Sequence, residues 1–371
     1  MTDGTPIGRI AGVEVRLHWT WWLAAALITI TLATTVFPDA VGGLSDLAYL
    51  VMGLVTALLF FASLLLHELG HAIVARRDGI ATRGITLWAL GGVAWSAARF
   101  PRPGVEARVA LAGPAVSAVL GGVLVGAGLI DGLPDSVAAV LLWLGWTNLL
   151  LLAFNLIPAL PLDGGRVLRA LLWRLRGNLL AGTRAAARVS RVLAVAMMAF
   201  GALAFLVGAG FGGLWLVFIG WFVYSSARAE NDATEAEFAL GGLTVAEVMT
   251  PDPVSIRATA SVADLLELRR RTGHSVYPVV DDSGAAIGLV SISDAERLPE
   301  RRRDWATVRE LVSGRPGSVA VDADAAVLSA LPALAGNALH RAAVVRAGHL
   351  VGVLAMSDVR HQVQLRVEEA R

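Results

Sequence analysis

The arginines constrain most strongly what this chain can fold into. Six long apolar stretches, 19–36, 47–75, 109–130, 136–157, 192–207 and 211–226, run through its first part. Arg9 and Arg16 precede the first. Arg76, Arg77, Arg83, Arg99, Arg102 and Arg108 follow the second. Arg166, Arg169, Arg174, Arg176, Arg184, Arg188 and Arg191 follow the fourth, and Arg228 follows the sixth. The connections 38–46, 131–135 and 208–210 contain no arginine. A membrane span needs about 20 mostly apolar residues, and basic residues collect in cytoplasmic connections. A soluble helical bundle has no reason to put its arginines in every second gap. The pattern predicts an integral membrane protein of about six transmembrane helices, multi-pass in the cell membrane, with both termini cytoplasmic. The last two stretches are short, and a buried hairpin is the alternative there.

Composition agrees with a chain that meets lipid. Only 16% of the 371 residues are charged, against about 25% in soluble proteins. The net charge of +1 gives no reason to expect nucleic acid as a partner; the lipid bilayer is the expected surroundings. Cysteine is absent, which excludes disulfides, thiol nucleophiles and thiolate metal sites. Lysine is absent too, which excludes Schiff-base chemistry and a Walker-type phosphate loop. A metal here must be held by His, Asp or Glu. Val13, Val15 and Leu17 alternate with Glu14 and Arg16, a strand pattern. No secretory signal is expected, because no apolar run follows a basic start.

From about Ala227 the chain has ordinary soluble polarity and contains an internal repeat. One copy runs from Val248-Met249-Thr250-Pro251 to Gly288–Asp294, the other from Leu311-Val312-Ser313 to Gly352–Asp358. The two endings lie 64 residues apart. Each copy reads strand, helix, strand, strand, helix start. Two copies suit a paired module better than an open array.

His67-Glu68-Leu69-Gly70-His71 interrupts the second apolar stretch. Residues four apart lie on one helix face, so both imidazoles can reach one zinc, with Glu68 beside them as general base. Ionisable groups inside a span are costly and mark function. Glu68 lies about 13 Å along the helix from Arg77, well inside a hydrocarbon core of about 30 Å. A catalytic zinc takes three protein ligands. His18 stands at the membrane boundary, and His274, His340, His349 and His361 stand in the tail. Asp163 is the best third ligand. It follows Asn155-Leu156-Ile157-Pro158-Ala159-Leu160-Pro161-Leu162 and precedes Gly164-Gly165, where the prolines disfavour a regular helix. Irregular backbone at membrane depth is tolerated where it is buried or lines a wet cavity.

These stretches together resemble the site-2 protease family of intramembrane zinc metalloproteases, in the branch with a C-terminal pair of CBS domains. His67 to His71 match the family's metal motif, and Asn155 to Gly164 its N-x-x-P-x-x-P-L-D-G signature. The resemblance implies one catalytic Zn2+ on His67, His71 and Asp163, Glu68 as general base, and Asn155 holding the substrate or its oxyanion. It implies as substrate a transmembrane segment of another protein, such as an anti-sigma factor or another single-span protein, cut within or near the membrane. A helical substrate must first unwind. The apolar, poorly helical stretch 85–94 is expected to form a strand or re-entrant loop that pairs with it, with a loop packed on the bundle as the alternative.

In CBS domains a Ser/Thr and an Asp of the closing pattern contact the ribose or phosphates of an adenine nucleotide. The first copy has Ser291 and Asp294; the second has Asp358, with Ala355 in the hydroxyl's place. ATP, ADP or AMP is the implied ligand, and a homodimer through the CBS domains is compatible with the resemblance. The expected fold is an α-helical integral membrane protein with a C-terminal α/β tandem CBS module. Residues 1–228 form the metalloprotease domain, 229–243 a linker, 244–303 the first CBS domain and 304–371 the second. Two other readings compete: a CBS-gated transporter or channel, and an inactive scaffold. The spans show no inverted repeat or further charged pathway that would favour transport.

Overall fold

The computed structural model describes residues 4–10, 12–89, 91–96, 100–312 and 320–369. Leu90, Arg99 and Ser313, each in a stretch discussed above, lie outside the described residues. The chain divides into two units, Met1–Asn231 and Asp232–Arg371.

The first unit opens with β1 (Thr5–Ile10) and β2 (Val13–Leu17). Val13 and Val15 are fully buried, as the alternation predicts. Helix α1 begins at Trp19–Thr31 and continues through a π turn to Ala40. His18 is its N-cap, accepting from the Thr20 N–H. Helix α2 (Asp46–Arg77) carries the His-Glu motif. Strands β3 (Thr82–Trp88) and β4 (Gly91–Ser96) follow, then α3 (Pro103–Gly128), α4 (Asp135–Asn155), α5 (Asp163–Arg176), α6 (Leu179–Ala204) and α7 (Phe211–Leu240). The sheet runs β1-β2-β3-β4, with β2 and β3 parallel and the other pairs antiparallel.

Among the described residues, five helices are long and apolar enough to cross a membrane: 19–40, 46–77, 103–128, 135–155 and 179–208. Six spans were expected. The sixth stretch is also helical, but in α7 the apolar run meets Arg228 and Glu230. Only 11–39% of the most apolar window of each long helix is buried by protein. Side chains such as Trp22, Leu150, Phe200 and Leu206 point outward. Such a surface suits lipid and would drive aggregation in water.

The second unit bears out the repeat. The first copy is β6 (Ile256–Arg257), α8 (Val262–Thr272), β7 (Val276–Val280), β8 (Ala286–Ser291) and α9 (Ile292–Arg297), preceded by the short strand β5 (Thr250–Pro251). The second is β9 (Ala320–Asp322), α10 (Val327–Ala335), β10 (Arg341–Arg346), β11 (His349–Ala355) and α11 (Met356–Glu369). In each, the first two strands are parallel and the last two antiparallel.

Each copy lends its leading segment to the other. β5 pairs with β11, the Val245 N–H bonds Ala325 O, and Leu243 and Val245 pack in the core of the second copy. Reciprocally, the Val308 N–H bonds Ala260 O, and Ala306 and Val308 pack in the core of the first. Two capping boxes, Thr244 with Glu247 and Thr307 with Glu310, fix the exchanged segments. Each copy thereby buries apolar surface that it could not cover alone. The expected linker 229–243 is helical through Leu240.

Candidate active site

Three helices bring the site together. His67 and His71 project from one face of α2, as their spacing requires, and Asp163 is the first residue of α5. The two Nε2 atoms stand 3.2 Å apart, and Asp163 Oδ2 stands 3.3 Å from each. A tetrahedral zinc with bonds of about 2.0–2.1 Å spaces its ligands about 3.3 Å apart. The triangle therefore has the edge length of a zinc site. Val109 O can only accept, so His71 Nδ1 donates to it, at 2.7 Å, and the Nε2 on the other side of the ring faces Asp163 and His67. His67 Nδ1 meets Ser117 Oγ at 2.9 Å and turns its Nε2 to the same point. Two imidazole nitrogens and a carboxylate oxygen converge in a buried place, with each ring oriented through its Nδ1, which is the donor set and ring orientation that a zinc ion takes. The residues fit zinc.

Sequence reasoning missed the part played by α3. Val109, Gly113 and Ser117 recur every four residues and form one stripe facing the histidines. A Cβ on Gly113 would lie 2.6 Å from His67 Nε2 and would also strike the His71 ring. Only a bare backbone lets the imidazoles occupy this space. Pro114 withholds one ladder donor in the adjacent turn. Small residues are common in membrane helices for packing alone, so nothing in the sequence set these apart.

Glu68 is outside the metal triangle and lies against β4. A Cβ on Gly92 would come within 2.9 Å of Glu68 Cδ and 3.0 Å of its Oε1. The stretch 85–94 is thus part of a hairpin, and its second strand approaches the carboxylate through bare backbone. β4 is the last strand of the sheet.

The segment 156–162 is irregular, as its prolines predict, and Leu162 rather than Asp163 is the N-cap of α5. This leaves the Asp163 carboxylate free to face the histidines. Ser190 on α6 holds the segment, accepting from the Leu160 N–H and donating to Ala186 O, both at 2.8 Å. Removing that hydroxyl strands a buried N–H. Ser190→Ala is expected to lower stability by about 1–3 kcal/mol, read as an earlier thermal unfolding in detergent. Asn155 donates Nδ2 to Leu151 O within its own helix. Among the described residues, no hydrogen bond ties it to His67, His71 or Asp163.

In the tail, Ser291 caps α9 and bonds Ser293. Asp294 pairs with Arg297 at 3.2 Å. Asp358 accepts from the Ala355 N–H at 3.0 Å. All three side chains serve local helix starts in this structure.

The Peptidase family M50 profile matches residues 55–133 and 131–200, and the CBS domain profile matches residues 245–299. Rip3 of Mycobacterium tuberculosis, assigned as a zinc metalloprotease, is 36% identical across 98% of this chain and 94% of its own length. A zinc metalloprotease of Methanocaldococcus jannaschii is 31% identical across 95% of this chain and 93% of its own. A solved site-2 protease from Methanocaldococcus jannaschii is 33% identical across 62% of this chain and 95% of its own, with a TM-score of 0.43. The chain belongs to Peptidase family M50, the site-2 protease family, and carries CBS domains in its tail. It is a membrane metalloprotease, which sets aside the transporter and scaffold readings.

Proposed function

We propose that this protein is an intramembrane zinc endopeptidase that cuts peptide bonds within or near transmembrane segments of other proteins. The observation that carries the reading is the triangle of His67, His71 and Asp163, with Glu68 beside His67 on the same long apolar helix. His67, His71 and Asp163 hold the metal. Zinc, when bound, supplies Lewis acidity toward the scissile carbonyl.

The remaining steps belong to side chains. Glu68 takes a proton from the attacking water and returns it to the leaving amine. An unwound substrate pairs along β4, which places its backbone next to Glu68, because Gly92 leaves no side chain between them. Asn155 lies at the end of α4, one short loop before Asp163. Released from Leu151 O, its amide can donate to the substrate carbonyl or oxyanion. The arginine alternation supports cytoplasmic termini, so the substrate is cut toward the cytoplasmic half of the membrane. Anti-sigma factors and other single-span proteins have the required form.

The test is cleavage of a single-span substrate reconstituted with the full chain in liposomes, with product masses locating the cut. A cut inside the span that a zinc chelator abolishes is the expected result. Cleavage confined to soluble flanks, or insensitive to chelation, would overturn the reading.

The tail is proposed to bind an adenine nucleotide at the first copy, through the Ser291 hydroxyl and Asp294, and to associate as a homodimer. The second copy lacks the hydroxyl at Ala355, so one nucleotide per chain is expected. Titrating AMP, ADP and ATP into the full chain should give saturable binding that Asp294→Ala removes. No binding at millimolar nucleotide would end this part of the reading.

A further inference from the structure

Apart from the metal triangle, the buried charged residues among those described are Glu106 and Arg169. Glu106 sits on α3 and Arg169 on α5, six residues after Asp163. The Arg169 Nε donates to Glu106 Oε1 at 2.6 Å, and Nη2 closes on the same oxygen. Nη1 reaches Glu230 on α7. The second Glu106 oxygen is buried without a hydrogen-bond partner, and the described hydrogen bonds to that carboxylate come from Arg169.

Glu106 extends the stripe of α3 that holds the histidines. Glu106, Val109, Gly113 and Ser117 follow at steps of three, four and four, and so share one face. Along that face Ser117 meets His67, Val109 O takes the proton of His71, Gly113 leaves room for both rings, and Glu106 grips α5. One helix thus contacts the carriers of all three ligands. Apolar side chains of similar volume would pack α5 against α3 equally well or better. An ion pair adds direction: the planar guanidinium accepts only a narrow range of positions for its partners.

We infer that Arg169 is a positioning residue for the metal-binding carboxylate. Clamped on Glu106, it fixes the height and rotation of α5 against α3, so that Asp163 Oδ2 stands equidistant from the two imidazole nitrogens. Glu230 supplies a second arm from α7. The inference rests on the zinc reading of His67, His71 and Asp163.

The experiment measures Zn2+ affinity of the detergent-solubilised full chain by competition with a chromogenic chelator. Wild type is compared with Arg169→Met and with the double variant Glu106→Gln/Arg169→Met. The single variant leaves Glu106 buried and unpaired and is liable to misfold. The double variant removes both charges and restores a packable core. A positioning role predicts that the folded double variant binds Zn2+ about 10–100-fold more weakly than wild type, the usual effect of losing an outer-shell partner. Wild-type affinity in the double variant would overturn the inference and leave Arg169 a structural ion. A wild-type chain that binds no Zn2+ would instead remove the zinc reading itself, and the inference with it.

Discussion

Glu68→Gln is expected to slow cleavage of a membrane substrate about 10²–10⁴-fold while leaving the bound zinc in place. The substitution keeps the size and shape of the side chain and removes only its ability to take a proton. Glu68 is not one of the three groups whose atoms converge within 4.8 Å, so metal binding does not depend on it. Its neighbour on the far side is the bare backbone of Gly92, which an amide fits as well as a carboxylate. Zinc content and cleavage rate should therefore part company. Parallel loss of both would mean that Glu68 serves the metal rather than the proton.

Gly113→Ala is expected to do the reverse and strike the metal first. The added methyl would sit 2.6 Å from His67 Nε2 and closer still to the His71 ring. Neither ring can turn away, because His67 is tied to Ser117 and His71 to Val109 O. One imidazole must leave its bond or α3 must move out. Overpacking of this kind costs about 1–3 kcal/mol in fold stability, which a well-packed bundle can survive. Zinc affinity should fall more steeply, by at least about 100-fold. Gly122→Ala provides the control. It lies on the same helix, and a Cβ there meets nothing within 4 Å. Retention of zinc in Gly113→Ala would show that the stripe on α3 is not the scaffold described.

The helices that carry the site were legible in the sequence because lipid and zinc both impose strong local rules. A span has a required length, a His pair has a required spacing, and arginines mark the ends. His67, His71 and Asp163 followed from those rules, and their convergence within one ligand sphere is a geometric fact. The supporting residues were not legible. Gly113 and Ser117 look like any small residues of a membrane helix, and their meaning depends on which helix stands opposite. Ser190 and Arg169 act on groups 30 and 63 residues away, separations that no periodicity reports. The exchange of leading segments between the tail copies was hidden for the same reason. The repeat fixed the order of elements in each copy but not which copy each segment completes. The sixth apolar stretch differs from the others in that its apolar run meets Arg228 and Glu230, although its helix continues to Leu240.

The claim on which the account turns is that one zinc is held by two imidazoles and one carboxylate. X-ray absorption at the zinc edge, on the full chain purified without chelator, tests it directly. Two imidazole nitrogens and oxygen donors at about 2.0–2.1 Å, one zinc per chain, and loss of one imidazole signal in His67→Ala are the expected result. A chain that binds no zinc, or a spectrum unchanged in His67→Ala, would contradict it.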